Sequence, residues 1–240
     1  MRQATIGLIG GMSWESSSEY YRIINQEMNR RLGGAHSAQC LMYSLDFEGI
    51  KRLQHEGDWE SLAEGMKEAA VRLERGGADF IVLCTNTMHR LADAISSAVN
   101  IPLLHIADPT ADRIKAAGFQ RIALLGTAFT MEQEFYKGRL RQHHGLDVIV
   151  PDESDRRIVH EIIYKELVLG RIKPESRQAY REIIARLVER DAQAVILGCT
   201  EIMLLVSDED SPVPLFDTTT LHAVAAVDRA LTGLAAAPQL

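Results

Sequence analysis

Cysteine is scarce in this chain: Cys40, Cys84 and Cys199 are the whole set among 240 residues, and none stands in a CxxC pair. An odd, scattered trio excludes a disulfide framework, gives no zinc-type ligand spacing, and points to reduced thiols. Positive charge is also short, with 26 Lys and Arg against 33 Asp and Glu and a net charge of -7, which argues against a nucleic-acid surface. No uninterrupted apolar stretch reaches membrane-spanning length. Met1-Arg2-Gln3-Ala4-Thr5 runs straight into a strand-like segment without the charged, apolar and cleavage regions of a leader, so a cytoplasmic protein with no membrane partner is expected. A dinucleotide fingerprint is missing too, because Gly7, Gly10 and Gly11 fail the GxGxxG spacing and no acidic residue closes a clear second strand. The glycine loop therefore reads as a tight turn that lets backbone approach a small ligand. No metal-ligand cluster and no cofactor-lysine motif is evident, so no cofactor and no metal are expected.

What is present is ordinary in bulk and specific in detail. Hydrophobic residues make up 46% and charged residues 25%, the composition of a globular protein able to bury a sizeable core in one large domain or two small lobes. Phe80-Ile81-Val82-Leu83 and Ala194-Val195-Ile196-Leu197 are aliphatic runs of the kind that form buried strands, and each leads into a cysteine turn. The turns are Cys84-Thr85-Asn86-Thr87 and Gly198-Cys199-Thr200-Glu201. A thiol placed where a strand ends and a helix begins sits among outward-pointing N–H groups, which bind carboxylates and depress a thiol pKa.

Around these turns, strands and helices alternate. Thr5 to Ile9 is a strand, Gly10 to Trp14 a loop, and a helix follows with Ser16 to Ser18 as caps and Tyr20, Ile23, Ile24 and Met28 on one face. Gln39 to Leu45 is a second strand, in which Cys40 reads as a small buried hydrophobe. Asp46 to Glu56 is a polar loop or short helix, Trp59 to Arg75 an amphipathic helix, Met88 to Val99 another helix, and Ile101 to His105 a short strand.

The pattern then restarts. Arg121 of Arg121-Ile122-Ala123-Leu124-Leu125-Gly126-Thr127 stands 116 residues after Thr5, Cys199 stands 115 after Cys84, and Val213 stands 112 after Ile101. Between them come a helix around Met131 to His143, a strand over Leu146 to Val150, and helices over Asp155 to Leu169 and Pro174 to Arg190. The expectation is an α/β fold of two similar lobes, each with a mainly parallel sheet flanked by helices, related by a pseudo-twofold internal duplication. Residues 1–102 with 217–240 form the first lobe and 103–216 the second, with the ligand site in the cleft between them. The helix near Thr218 to Leu231 returns to the first lobe, and the tail Ala235 to Leu240 frays.

Two thiols facing one another can invert a stereocentre, which needs a base on one side of a carbon and a proton donor on the other. One must be thiolate and one thiol, with fixed donors to stabilise the developing carboxylate charge. Thr85, Asn86, Thr87, Thr127 and Thr200, together with turn N–H groups, are suitable donors. His89 and His105 read as satisfied structural groups. Glu201 fits a dipole-complementing cap and a thiol-orienting group equally well.

Gly10-Gly11-Met12-Ser13-Trp14-Glu15-Ser16, Cys84-Thr85-Asn86-Thr87-Met88-His89 and Gly198-Cys199-Thr200-Glu201 closely resemble the aspartate/glutamate racemase family over nearly the whole chain. The resemblance implies a cofactor-independent, PLP-independent and usually homodimeric racemase acting on a small-molecule amino acid. It assigns Cys199 to the proton of the L enantiomer and Cys84 to that of the D enantiomer. It further implies that Asn86, Thr87, Thr127 and Thr200 hold the α-carboxylate, that Met12 lines the substrate, and that Lys165 reaches the substrate side chain or its carboxylate. Without the resemblance Lys165 reads as a solvated helix residue. Where archaeal aspartate racemases carry an arginine for the side-chain carboxylate, the nearest counterpart here is Phe47, with Arg52 farther along. That departure implies a broader amino-acid range, including neutral side chains such as homoserine. A maleate-type isomerase or hydantoin-type racemase of the same superfamily, and a non-catalytic amino-acid binding protein, are the alternatives.

Overall fold

A computed structural model describes residues 3–235, and side chains through Thr232. The chain divides into two compact units, one running to His105 and resuming at His222, the other spanning Ile106–Leu221.

The first unit is built from β1 (Ile6–Gly10), α1 (Trp14–Leu32), β2 (Cys40–Ser44), α2 (Phe47–Glu56), α3 (Trp59–Arg75), β3 (Phe80–Leu83), a 3-10 turn over Thr87–Leu91, α4 (Ala92–Ala98) and β4 (Leu103–Leu104). Its sheet is parallel throughout, in the order β2-β1-β3-β4. Every residue of β1 and β3 is buried, which is why both read as unbroken aliphatic runs, whereas edge strand β2 is only partly covered and leaves Cys40 half-buried. Leu62, Met66, Ala69, Ala70 and Leu73 of α3 pack on Ile9, Ile81 and Leu83 to form the core on one side of this sheet.

The second unit repeats the plan. It contains α5 (Ala107–Ala116), β5 (Arg121–Gly126), α6 (Ala128–Glu132), α7 (Glu134–His144), β6 (Asp147–Ile149), α8 (Glu153–Lys165), α9 (Pro174–Val188), β7 (Ala194–Gly198) and β8 (Leu215–Asp217). The parallel order β6-β5-β7-β8 reproduces the first sheet strand for strand. One core layer joins Ala123, Leu125, Val195 and Leu197 to α8 and α9, and another joins Ile122, Leu124, Ala194, Ile196 and Phe216 to α5 and α7. Each fully buried Leu or Ile contributes about 1.5–3 kcal/mol, and both the central strands and the helices packed on them supply such residues. A last helix, α10 (Thr218–Ala235), begins in the second unit, and from His222 onward it belongs with the first. There His222 is hydrogen-bonded to Tyr20 Oη and the Leu104 carbonyl. Among the described residues no helix is long and apolar enough to cross a membrane.

Local chemistry moved several boundaries from their expected places. Ser13, not Ser16 to Ser18, caps α1, accepting the Ser16 N–H at 3.3 Å, while Ser16 and Ser17 are buried inside the first turn. The expected helix from Met88 begins as the tighter 3-10 turn, and the one expected over Met131 to His143 is broken by Gln133, whose ψ of 157° is extended. Helix α8 stops at Lys165 because Glu166 leaves helical geometry, with a short 3-10 turn over Leu167–Leu169 beyond it. The tail expected to fray lies, from Ala236 on, outside the described residues.

Candidate active site

In a sheet of order 2-1-3-4 the chain leaves β1 in one direction and β3 in the other, and the crevice beyond their carboxyl ends is where open α/β folds bind ligands. In the first unit Ile9 and Leu83 are register partners, so the residues that follow them, the Gly10 to Ser13 loop and Cys84, flank that crevice. The Cys84 N–H bonds to the Ile9 carbonyl at 2.9 Å, and the Ser16 hydroxyl lies 3.5 Å from the Cys84 carbonyl. In the second unit the pair is Gly126 and Gly198, followed by Thr127 and Cys199. A side chain at Gly198 would meet Leu124 Cδ1 at 2.6 Å and the Leu125 carbonyl oxygen at 2.8 Å, so the strand can reach its cysteine turn only with glycine there.

The first turn is tight. Thr85 N–H bonds back to the Leu83 carbonyl at 2.8 Å, and His89, buried in the 3-10 turn, donates from Nδ1 to the Thr85 carbonyl at 2.7 Å. The His89 ring lies 4.5 Å from that of His105 and 5.9 Å from that of His222, centroid to centroid. These three histidines form a buried layer beneath the turn. Because Nε2 of His222 faces a carbonyl it carries the proton, and Tyr20 Oη donates to Nδ1. Asn86 and Thr87 are both buried, and the Asn86 carbonyl accepts the His89 N–H at 3.0 Å. Met12 is buried in the core that faces α3.

The second turn is organised by a carboxylate. Glu201 Oε2 accepts from Cys199 Sγ at 2.9 Å and from the Thr200 hydroxyl at 3.0 Å, and the Glu201 side chain makes no capping bond to the 3-10 turn Ile202–Leu204 that it precedes. Of the two roles open to Glu201, thiol orientation is the one seen. Thr218 and Thr219 brace the turn from α10 by donating to the Leu197 and Thr200 carbonyls. Thr127 caps α6, accepting the Thr130 N–H at 3.3 Å, and the neighbouring Ala128 N–H donates to His160 Nδ1 at 3.1 Å. The His160 ring lies 4.7 Å from that of Tyr164 and tilted at 48° to it, a contact that no motif signalled. Lys165 closes α8 at the surface, ion-paired with Glu161 at 3.0 Å. Phe47 opens α2 and packs against the first unit's core, and Arg52 is exposed and paired with Glu56 at 2.7 Å.

Electrostatics differ from the expectation of depressed thiol pKa values. Burial pushes Cys84 well up, and it pushes Cys199 up too, with the charge of Glu201 adding to the effect. The N–H groups of Thr200 and Glu201 favour a Cys199 thiolate, but desolvation outweighs them. Both thiols therefore rest protonated at neutral pH. Burial also raises Tyr164 and Tyr180, with the nearby charge of Glu201 adding to the effect. Among the described residues no group of three His, Cys, Asp or Glu side chains is arranged to hold a metal ion. A surface groove of about 830 Å³ in the second unit, lined by Arg113, Phe119, Leu197, Met203 and Asp217 among others, contains none of the candidate residues.

The profile of the Asp/Glu/Hydantoin racemases matches residues 9–226. The chain belongs to that racemase family. Its members are isomerases. A candidate Asp/Glu racemase from Yersinia pestis is 54% identical, covers 95% of this chain and 100% of its own, and superposes with a TM-score of 0.88. An aspartate racemase homologue from Pyrococcus horikoshii OT3 is 32% identical with a TM-score of 0.79, covering 94% and 98% of the two chains. Among curated proteins, the broad specificity amino-acid racemase RacX of Bacillus subtilis (strain 168) is 24% identical over 230 residues, 92% of this racemase and 96% of RacX.

Proposed function

We propose that this racemase inverts the α-carbon of free amino acids without a cofactor, with Cys84 and Cys199 serving opposite faces of that carbon. The observation that carries the reading is the equivalence of the two cysteines: each follows the third strand of a 2-1-3-4 sheet, beside the loop that leaves the first strand. A single buried cysteine after a strand is common, whereas the same residue at the same point of two matching sheets is what a two-base inversion requires.

In this reading Cys199 takes the proton of the L enantiomer and Cys84 that of the D enantiomer, each returning a proton for the other's substrate. The electron pair left on Cα spreads into the α-carboxylate, which Asn86, Thr87, Thr127 and Thr200 hold through hydroxyl, amide and turn N–H donors, with Met12 against the substrate. Because burial favours the protonated form of both thiols, the substrate's ammonium group supplies the positive charge that lets one become thiolate. Phe47 brings no charge to the place of the missing arginine, and Lys165 and Arg52 are engaged at the surface with Glu161 and Glu56. The substrate range therefore extends to amino acids with neutral side chains, in keeping with the broad specificity for which RacX is named. The working form is a cytoplasmic homodimer.

The test is a panel of L-amino acids incubated with the protein in deuterium oxide and resolved by chiral chromatography. Label should enter several amino acids with formation of the D enantiomer. Turnover of aspartate far above every neutral amino acid would refute the broad range, and exchange of no member would refute the racemase reading in favour of an isomerase or a binding protein.

A further inference from the structure

The two cysteines occupy equivalent places but unlike surroundings. Cys84 Sγ has a main-chain partner, the Val82 carbonyl at 3.9 Å, and no ionisable group among the described residues is bonded to it. Cys199 Sγ sits 2.9 Å from Glu201 Oε2, a contact short for a sulfur donor and of the kind a charged acceptor produces. Glu201 is itself only 2% exposed, and its oxygen is steadied by the Thr200 hydroxyl. The walls around this pair are Tyr164 from α8 and Tyr180 from α9, both in the same apolar layer as Cys199. In such a place a thiolate against an ionised carboxylate would put two negative charges in contact, so the pair keeps one proton between sulfur and oxygen.

We propose that Glu201 is the positioning and proton-holding partner of Cys199, so that one face of the substrate is served by a thiol–carboxylate pair and the other by Cys84 alone. The inference rests on the racemase reading above. Before reaction the shared proton moves from sulfur to Glu201. The Cys199 thiolate then takes the α-proton: the Cα–H bond breaks, an S–H bond forms, and the electron pair stays on Cα and its carboxylate. On the opposite face Cys84 gives its proton to Cα and is left as thiolate. The pair ends one proton richer and Cys84 one poorer, and either the reverse reaction or exchange with water restores the start. Forward and reverse reactions thus use chemically different bases, although the fold around them is duplicated.

Two variants test this. Glu201→Gln keeps the side chain's length but cannot take a proton, and Glu201→Asp keeps the acid while drawing it back from sulfur. In deuterium oxide, Glu201→Gln added to Cys84→Ala should slow same-face label entry into the L enantiomer by ~100-fold, the low end of acid–base contributions, and added to Cys199→Ala it should leave label entry into the D enantiomer within about two-fold of that parent. Glu201→Asp should recover part of the loss. Equal slowing of both enantiomers, or of neither, would overturn the proposal. The second readout needs no substrate: in protein carrying Cys40→Ala and Cys84→Ala, the one remaining S–H stretch belongs to Cys199. Its infrared band should move to higher frequency on Glu201→Gln, as a charged acceptor is replaced by a neutral one, and an unmoved band would overturn the pairing. If wild type exchanges no amino acid at all, the racemase reading fails and the role in proton exchange with it, while the S–H band still decides the thiol–carboxylate pair.

Discussion

Replacement of Gly11 by alanine separates two costs that the loop before α1 avoids. Gly11 has a φ of +88°, and a Cβ there would lie 2.1 Å from the Leu45 carbonyl oxygen and 2.4 Å from the Leu45 nitrogen. Those atoms are backbone and cannot rotate away. Leu45 N–H donates to the Gly10 carbonyl at 3.0 Å, and Gly11 N–H donates to Ser17 Oγ at 2.7 Å, so relief of the clash must strain or break the bonds that tie the loop to β2 and α1. A left-handed conformation costs alanine about 1–2 kcal/mol. A lost hydrogen bond adds about 0.5–1.5 kcal/mol, and forced overpacking about 1–3 kcal/mol. Gly11→Ala should therefore lose roughly 2.5–6.5 kcal/mol. Gly57 is the control, with a φ of +77° and nothing within 4 Å of its would-be Cβ, so Gly57→Ala carries the conformational cost alone, about 1–2 kcal/mol. Urea unfolding followed by circular dichroism measures both. Equal losses in the two variants would refute the argument that close backbone approach, rather than φ, dictates Gly11.

Two further outcomes follow from the site. The folded pKa of each buried thiol is raised, so above the unfolded value near ~8.5 the unfolded chain releases a proton that the folded chain keeps, and stability falls as pH rises. At pH ~9, where unfolded thiols are mostly ionised and unfolded tyrosines still mostly protonated, the slope should be about 1 kcal/mol per pH unit for each thiol. Cys84→Ala should remove one thiol's share, and an unchanged slope would contradict the burial argument. Thr127→Ala removes the cap of α6 and should cost about 1 kcal/mol in unfolding free energy, together with a rise in KM from the lost carboxylate donor. Thr127→Ser should restore both, and recovery of stability without recovery of KM would remove Thr127 from the carboxylate site.

The strands were the most legible part of this fold, because β1, β3, β5 and β7 are covered on both faces and their aliphatic runs admit no other reading. The repeat at near-constant offset carried the second sheet along with the first. Helix starts were less legible. Ser16 and Ser17 are good caps by residue type, yet Ser13, three residues before Ser16, takes the role and accepts the Ser16 N–H. Gln133 breaks a helical pattern that periodicity alone continues. At the site, residue types and turn positions could be read, but the direction of the thiol pKa values could not. The helix-start argument is local, whereas desolvation depends on how deeply tertiary packing encloses each sulfur. The contact of Glu201 with Cys199 was undecidable for the same reason: a carboxylate two residues beyond a thiol can turn to the helix start or to the sulfur, and only the bracing by Thr200 and the packing of α8 and α9 shows which.

The central claim, two thiols on opposite faces of one carbon, is tested most directly by deuterium wash-in with single-cysteine variants. A lone base can remove and return a proton on its own face but cannot invert the centre. Cys84→Ala should lose racemisation yet still label the L enantiomer through Cys199, and Cys199→Ala should lose it yet still label the D enantiomer through Cys84, with mass spectrometry and chiral separation reading both. Racemisation near the wild-type rate in either variant would contradict the account and leave that cysteine a structural residue.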